Sequence, residues 1–374
     1  MSTRTNCGTI WKTSFGYSTK IRLIFQIANK YPLTGLNVFN AFKYDLKSGY
    51  LRDVIKGISL SRFIRMLNTK GIESSIDISY LDALFIVLFP IIGSILAVVL
   101  LFFGYGGWFE VGVFLLMYSV TMIGVEVGFH RYFTHKSFAT SKFFEILLAV
   151  LGSMSGQGGV LWWAAVHRNH HRYSDKDLDP HLSANSKFRT TKFNQFFFAH
   201  FGWLFNRDKT WSDGGWLAFV KDWKSKEYLA RIQVHYKSWF VVGLIIPSVI
   251  GGIYHQSFMG FLLGFLWGGT FRLLISLHSF WAINSVCHSF GTQPFETKDE
   301  SRNNILVAIL TFGQGWHNNH HAFPKSSYLN FKWWQIDIGG FFIKLLCKFN
   351  LAWNDTSYEK RKIDKRRKNV AGKA

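Results

Sequence analysis

The stretch "LDALFIVLFPIIGSILAVVLLFFG", residues 81–104, holds a single charged side chain, Asp82, at its edge. A run that long and that apolar is enough for a helix to cross a bilayer. Residues 108–129 form a second apolar run after a short Gly-rich turn, so the two predict a transmembrane hairpin. A second pair lies at residues 238–258 and 261–286, joined by the uncharged "HQSFMG". The predicted fold class is therefore an all-α integral membrane protein with four transmembrane helices in two hairpins. The first residues are polar and contain no early apolar core, so no cleavable signal is expected.

Charge orients these spans. Of the 43 Lys and Arg, all but Arg272 fall in residues 1–80, 130–237 and 289–374, and neither hairpin tip carries one. The positive-inside rule then places the N-terminus, the middle segment and the C-terminus in the cytoplasm. The net charge of +21 is explained by topology and anionic headgroups, which sets nucleic-acid binding aside. Three regions follow: a cytoplasmic lead-in over 1–80 with an amphipathic stretch around 50–66, a membrane domain over 81–355, and a basic tail over 356–374. The tail's "KRKIDKRRK" is expected to be mobile and to touch the membrane surface. With only Cys7, Cys287 and Cys347, neither a disulfide framework nor a thiolate metal site is implied.

Histidines carry the chemistry. Nine of the fourteen fall in four clusters at the cytoplasmic ends of spans or between them. "HRYFTH" supplies His130 and His135, and "HRNHH" supplies His167, His170 and His171. "NSVCH" places Asn284 and His288 one turn apart, and "GWHNNHHAF" supplies His317, His320 and His321. On a helix the last three share one face. Imidazoles without cysteine suit borderline divalent metals, iron foremost where oxygen chemistry is intended. Nine imidazoles and one water held by Asn284 amount to five donors for each of two metals, leaving an open position that marks catalysis. The i, i+5 spacing of His130 and His135 subtends about 140° on a regular helix, so one metal takes both only if the helix ends or bulges there. Glu126, one turn before His130, is expected to hydrogen-bond a ligand.

"HRYFTH", "HRNHHRYSD", "DPH", "NSVCH" and "GWHNNHHAFP", in this order between two apolar hairpins, resemble the membrane acyl desaturases of the stearoyl-CoA desaturase type over roughly residues 81–355. "WWAAVHRNHH" is most similar to bacterial Δ9-type members. The resemblance implies a cytoplasmic helical cap holding two iron ions. His130, His135, His167, His170, His171, His288, His317, His320 and His321 would be their ligands, and Asn284 would hold a water-linked position. It implies removal of two hydrogens from a saturated acyl chain, with O2 and two electrons, usually at Δ9. An unactivated methylene C–H is too strong for acid–base catalysis, which agrees with a metal that activates oxygen in a water-free site.

The same resemblance assigns Trp163 and Trp281 to the walls of an acyl tunnel and Tyr118 and Met122 to its blind end. Met122 and Tyr118 lie about 12 and 18 Å before His130 along the helix. Met122 is expected to favour chains of about 16 carbons. Lys187, Arg189, Lys192 and Arg207 are candidate contacts to a phosphorylated acyl carrier. Animal CoA-dependent enzymes carry Arg-Asp where this chain has Ala165 and Val166, and Asp208 replaces a basic neighbour of Arg207. The donor is thus left open among acyl-CoA, acyl carrier protein and membrane lipid. His181 and His200 are expected to pack or support, His278 stands too far along its helix to join the metals, and the partner of Arg272 is unassigned.

No haem-binding His-Pro-Gly-Gly and no cysteine quartet occur, so a separate donor such as cytochrome b5, ferredoxin or rubredoxin, with its reductase, is expected. The expected location is the bacterial inner membrane or the endoplasmic reticulum. A fatty acyl or sterol-type hydroxylase with histidine boxes is the nearer rival, and a membrane metal carrier the more distant one.

Overall fold

The computed structural model describes residues 80–182, 191–206, 215–223 and 225–367. Four helices are long and apolar enough to cross a membrane: α1 (Tyr80–Phe102), α2 (Trp108–Thr134), α7 (Tyr236–His255) and α8 (Phe258–Ser285). The spans fall within a few residues of the runs read from sequence. The second turn is tighter than expected, because Gln256 takes a left-handed conformation (φ 47°) and the Ser257 side chain caps Gly260 N–H. Outward residues such as Ile92 and Ile253 are exposed, as lipid-facing positions should be.

At one end of the bundle sit the shorter helices α3 (Lys142–Ser153), α4 (Val160–Tyr173), α5 (Lys192–His200), α6 (Glu227–Val234), α9 (Ile305–Leu310), α10 (His317–Ala322), α11 (Ile338–Lys348) and α12 (Lys360–Arg366). A small antiparallel pair, β1 (Ala139–Thr140) with β2 (Ala352–Trp353), ties the end of α2 to the C-terminal part. All four histidine clusters lie at this end.

The end of the second span positions the site. The last part of α2, Gly124–Thr134, is π-helical, and the backbone N–H of His135 bonds the His130 carbonyl. The i→i+5 bond stacks His130 and His135 on one side, which is the bulge that their spacing requires. Close approach makes room for it: a Cβ at Gly124 would collide with the backbone of Gly152 in α3. Arg168 of α4 then closes the exposed end, donating to the Phe133 and Thr134 carbonyls and pairing with Asp222. The "HRYFTH" segment is thereby pinned to the helix that carries "HRNHH".

Arg272 finds its partners in backbone. It is fully buried and donates to the carbonyls of Gly268, Met154 and Gly243. Pro247, inside α7, has no N–H with which to bond Gly243. Met154 ends α3, where carbonyls lack helical donors. One guanidinium therefore satisfies groups on three elements.

The tail departs from the mobile segment expected. Lys360–Arg366 is a docked helix, because Ile363 inserts beside Phe295 and Phe323 and Arg366 lies over the Phe323 ring. Lys187, Arg189, Arg207, the amphipathic stretch at 50–66 and residues 368–374 lie outside the described residues.

Candidate metal centre

The nine histidines converge into two adjoining groups. His130, His135, His167 and His320 each offer a ring nitrogen within 4.8 Å of the others, and so do His170, His288, His317 and His321. His171 joins the first group, with Nε2 2.8 Å from His320 Nε2 and 3.1 Å from His167 Nε2. The three histidines of α10 are therefore divided, His320 to one group and His317 and His321 to the other. Asn284 lines a cavity beside His167, one helical turn before His288.

The reverse side of each group explains the intervening residues. Asn318 and Asn319 of "HNNHH" point away from the cluster: Asn318 brackets the Phe295 backbone, and Asn319 bonds Asn303 and the Leu329 carbonyl. They hold α10 in place while its imidazoles face inward.

Carboxylates orient the rings. Nδ1 of His130 bonds Glu126 at 3.0 Å, that of His170 bonds Asp179 at 3.0 Å, that of His288 bonds Asp175 at 3.1 Å and that of His321 bonds Asp299 at 2.8 Å. Each carboxylate draws the ring proton to Nδ1 and leaves the Nε2 lone pair directed inward. Glu126 does so as expected from its spacing. Its other oxygen pairs with the buried Arg131, which also pairs with Asp337 at 2.7 Å. The aspartates were not singled out from sequence, although Asp179 stands in the quoted "DPH" and Asp175 in "YSD". Asp175 and Asp179 stand 4 and 8 residues after His171 and Asp299 stands 11 after His288, a spacing that becomes meaningful only once the loops fold back.

A metal fits this donor set. Burial, aided by repulsion between neighbouring rings, holds His135, His167, His171, His317 and His320 well below the usual imidazole range, so they are neutral at pH 7. Burial likewise brings His321 down to about 4 against the opposing pull of Asp299. Nε2 of His135, His170 and His321 is buried without a hydrogen-bond partner among the described residues. Lone pairs buried and facing one another across about 3 Å are costly unless a cation lies between them.

A cavity of about 350 Å³ opens onto His167 and Asn284. Trp163 and Trp281 line it. Tyr118 and Met122 do not. The Tyr118 hydroxyl is anchored on the Leu310 carbonyl at 2.5 Å, and Met122 is fully enclosed in the apolar core. Lys192 is exposed at the start of α5. His200 bonds His278 and Ser285 beside Trp281, outside both metal groups, and burial lowers it to about 4. His181 bonds Asp179 through its backbone N–H and supports His170 at one remove.

Residues 106–337 match the sequence model of the family described as fatty acid desaturase. Among curated relatives, the hex-5-enoyl-[acyl-carrier protein] acetylenase of Moorena producens (strain JHB) is 43% identical over 71% of this chain and 82% of its own length. The sn-1 stearoyl-lipid 9-desaturase of Anabaena variabilis is 36% identical over 66% of this chain and 84% of its own length. The icosanoyl-CoA 5-desaturase of Limnanthes douglasii is 34% identical over 69% of each.

Proposed function

We propose, from the premise that this chain belongs to the fatty acid desaturase family, that it introduces a cis double bond, at Δ9, into a saturated fatty acyl chain. The observation that carries the reading is the pair of imidazole groups with inward-facing Nε2 at the end of an apolar cavity. Two iron ions would be held by His130, His135, His167, His171 and His320 on one side and by His170, His288, His317 and His321 on the other, with Asn284 supporting a water-linked position. When bound they would supply activation of O2, the overall change being loss of two hydrogens from adjacent methylenes and reduction of O2 to two waters by those electrons and two more from a donor protein.

The chain's own residues do the rest. Glu126, Asp175, Asp179 and Asp299 fix the tautomer and angle of four ligand rings. Trp163 and Trp281 give the cavity its walls and hold a methylene pair beside the metals, which is orientation rather than acid–base work. Burial of the ligands excludes water from the reacting carbons.

Products separate the readings. A host expressing the chain should yield lipids two mass units lighter than the saturated parent, with cleavage of derivatives locating the bond between carbons 9 and 10. Gain of one oxygen would instead support the hydroxylase. A metal carrier is disfavoured because the ligands gather at one end of the bundle instead of midway along a conduction path.

A further inference from the structure

The cavity that reaches the histidines has its outer end between two spans. α1 and α7 both pack on the π-helical part of α8, Phe265–Phe271, and flank it from two sides. Over the next turns of α8 they leave a cleft floored by Leu277 and Trp281. Its lips are the first turns of α1 and α7. Phe85 meets Phe240 edge-on across it, with ring centroids 6.5 Å apart, and just above them Lys237 pairs with Asp82 at 3.0 Å.

These lips belong to the membrane-facing surface. Phe85 is 48% exposed and Val241 47%, both on spans whose outward faces are continuous apolar surface. The cleft therefore opens sideways, at the depth where a span begins and lipid headgroups give way to chains. Lys237 is the one lysine or arginine among the described residues that line the cavity, and Asp82 neutralises it. Among the described residues of this lining a CoA or carrier-protein phosphate finds no unpaired cation, whereas an apolar chain finds Phe85, Phe240 and Trp281 in sequence.

We propose that the acyl donor is a membrane glycerolipid, whose chain enters laterally between α1 and α7, past Phe85 and Phe240, while its headgroup stays at the Asp82–Lys237 pair. This rests on the desaturase reading for what happens at the inner end, but entry can be read without product. The full chain, reconstituted in phosphatidylglycerol vesicles carrying a trace of lipid with a diazirine on its sn-1 stearoyl chain, is irradiated and its cross-links are mapped by peptide mass spectrometry.

Cross-links are expected on Leu277, Phe280 or Trp281 inside the cavity as well as on outward Ile92. F85W or F240W should reduce the inner ones several-fold and leave Ile92 unchanged. Cross-links confined to outward residues, or inner ones indifferent to both substitutions, would overturn lateral entry. A parallel assay offers stearoyl chains as phosphatidylglycerol, as CoA thioester and as acyl carrier protein thioester. Desaturation of a thioester with the lipid untouched would overturn the lipid donor while leaving the desaturase standing. Failure of all three bears on the desaturase reading alone, and the cross-links still decide entry.

Discussion

At the scale of single residues, the site depends on which nitrogen of each imidazole holds the proton. Asp179 meets His170 and also accepts from the backbone N–H of Asp175 and His181, so it is held ionised despite burial. Asp179→Asn keeps the shape but removes the charge that polarises the ring, and losing such a partner costs about 10- to 100-fold in metal affinity or activity. Metal content and turnover of the purified variant measure it. His171→Ala and His320→Ala should go further, lowering iron below the expected pair per chain and abolishing product. One tightly held zinc in fully active protein would contradict the iron assignment. Met122→Ala tests the cavity: since Met122 is enclosed and off the lining, the variant should lose about 2–5 kcal/mol of stability without changing product chain length. The histidines were legible in sequence because density and spacing mark them without any fold. Which side chains border the cavity was not, because distance along one helix does not tell which side a neighbouring helix covers.

At the scale of elements, the informative departures are from regular α-helix. His130 and His135 at i, i+5 demanded a bulge or an end, and the π-helical run that meets the demand begins at Gly124, where α2 closes on Gly152 of α3, a contact between segments that no local pattern reveals. Arg272 shows the same limit. From sequence its partner in the span was unassigned, yet Pro247 withholds an N–H from Gly243 and α3 ends at Met154, so two of its acceptors follow from rules of helix geometry once the packing is known. Arg272→Met should leave those carbonyls bare, at about 1–3 kcal/mol for each buried unsatisfied group. A lowered thermal midpoint in detergent, with metal content retained at low temperature, is the expected result. An unchanged midpoint would mean that neighbouring groups take up the carbonyls.

Over the whole molecule the spans were the most legible feature, since apolar length acts over tens of residues and does not depend on packing detail, and charge asymmetry adds an expected orientation. Tags at residue 1, near Lys209 and at residue 374 are expected to face the cytoplasm and a tag at Gly106 the opposite side, and a reversed signal near Lys209 would separate the histidine boxes across the membrane. The same asymmetry bears on electron supply. With 42 of 43 basic side chains in the segments assigned to one side and a net charge of +21, that face should attract a small acidic donor protein and speed its encounter. Raising ionic strength from about 0.01 M to about 0.1 M shortens the screening length from about 30 Å to about 10 Å. The kcat/KM for the reduced donor should then fall, while kcat at saturating donor, and single turnover with a small uncharged reductant, stay level. If kcat/KM for the donor holds constant across that range, the donor docks by some means other than this charge.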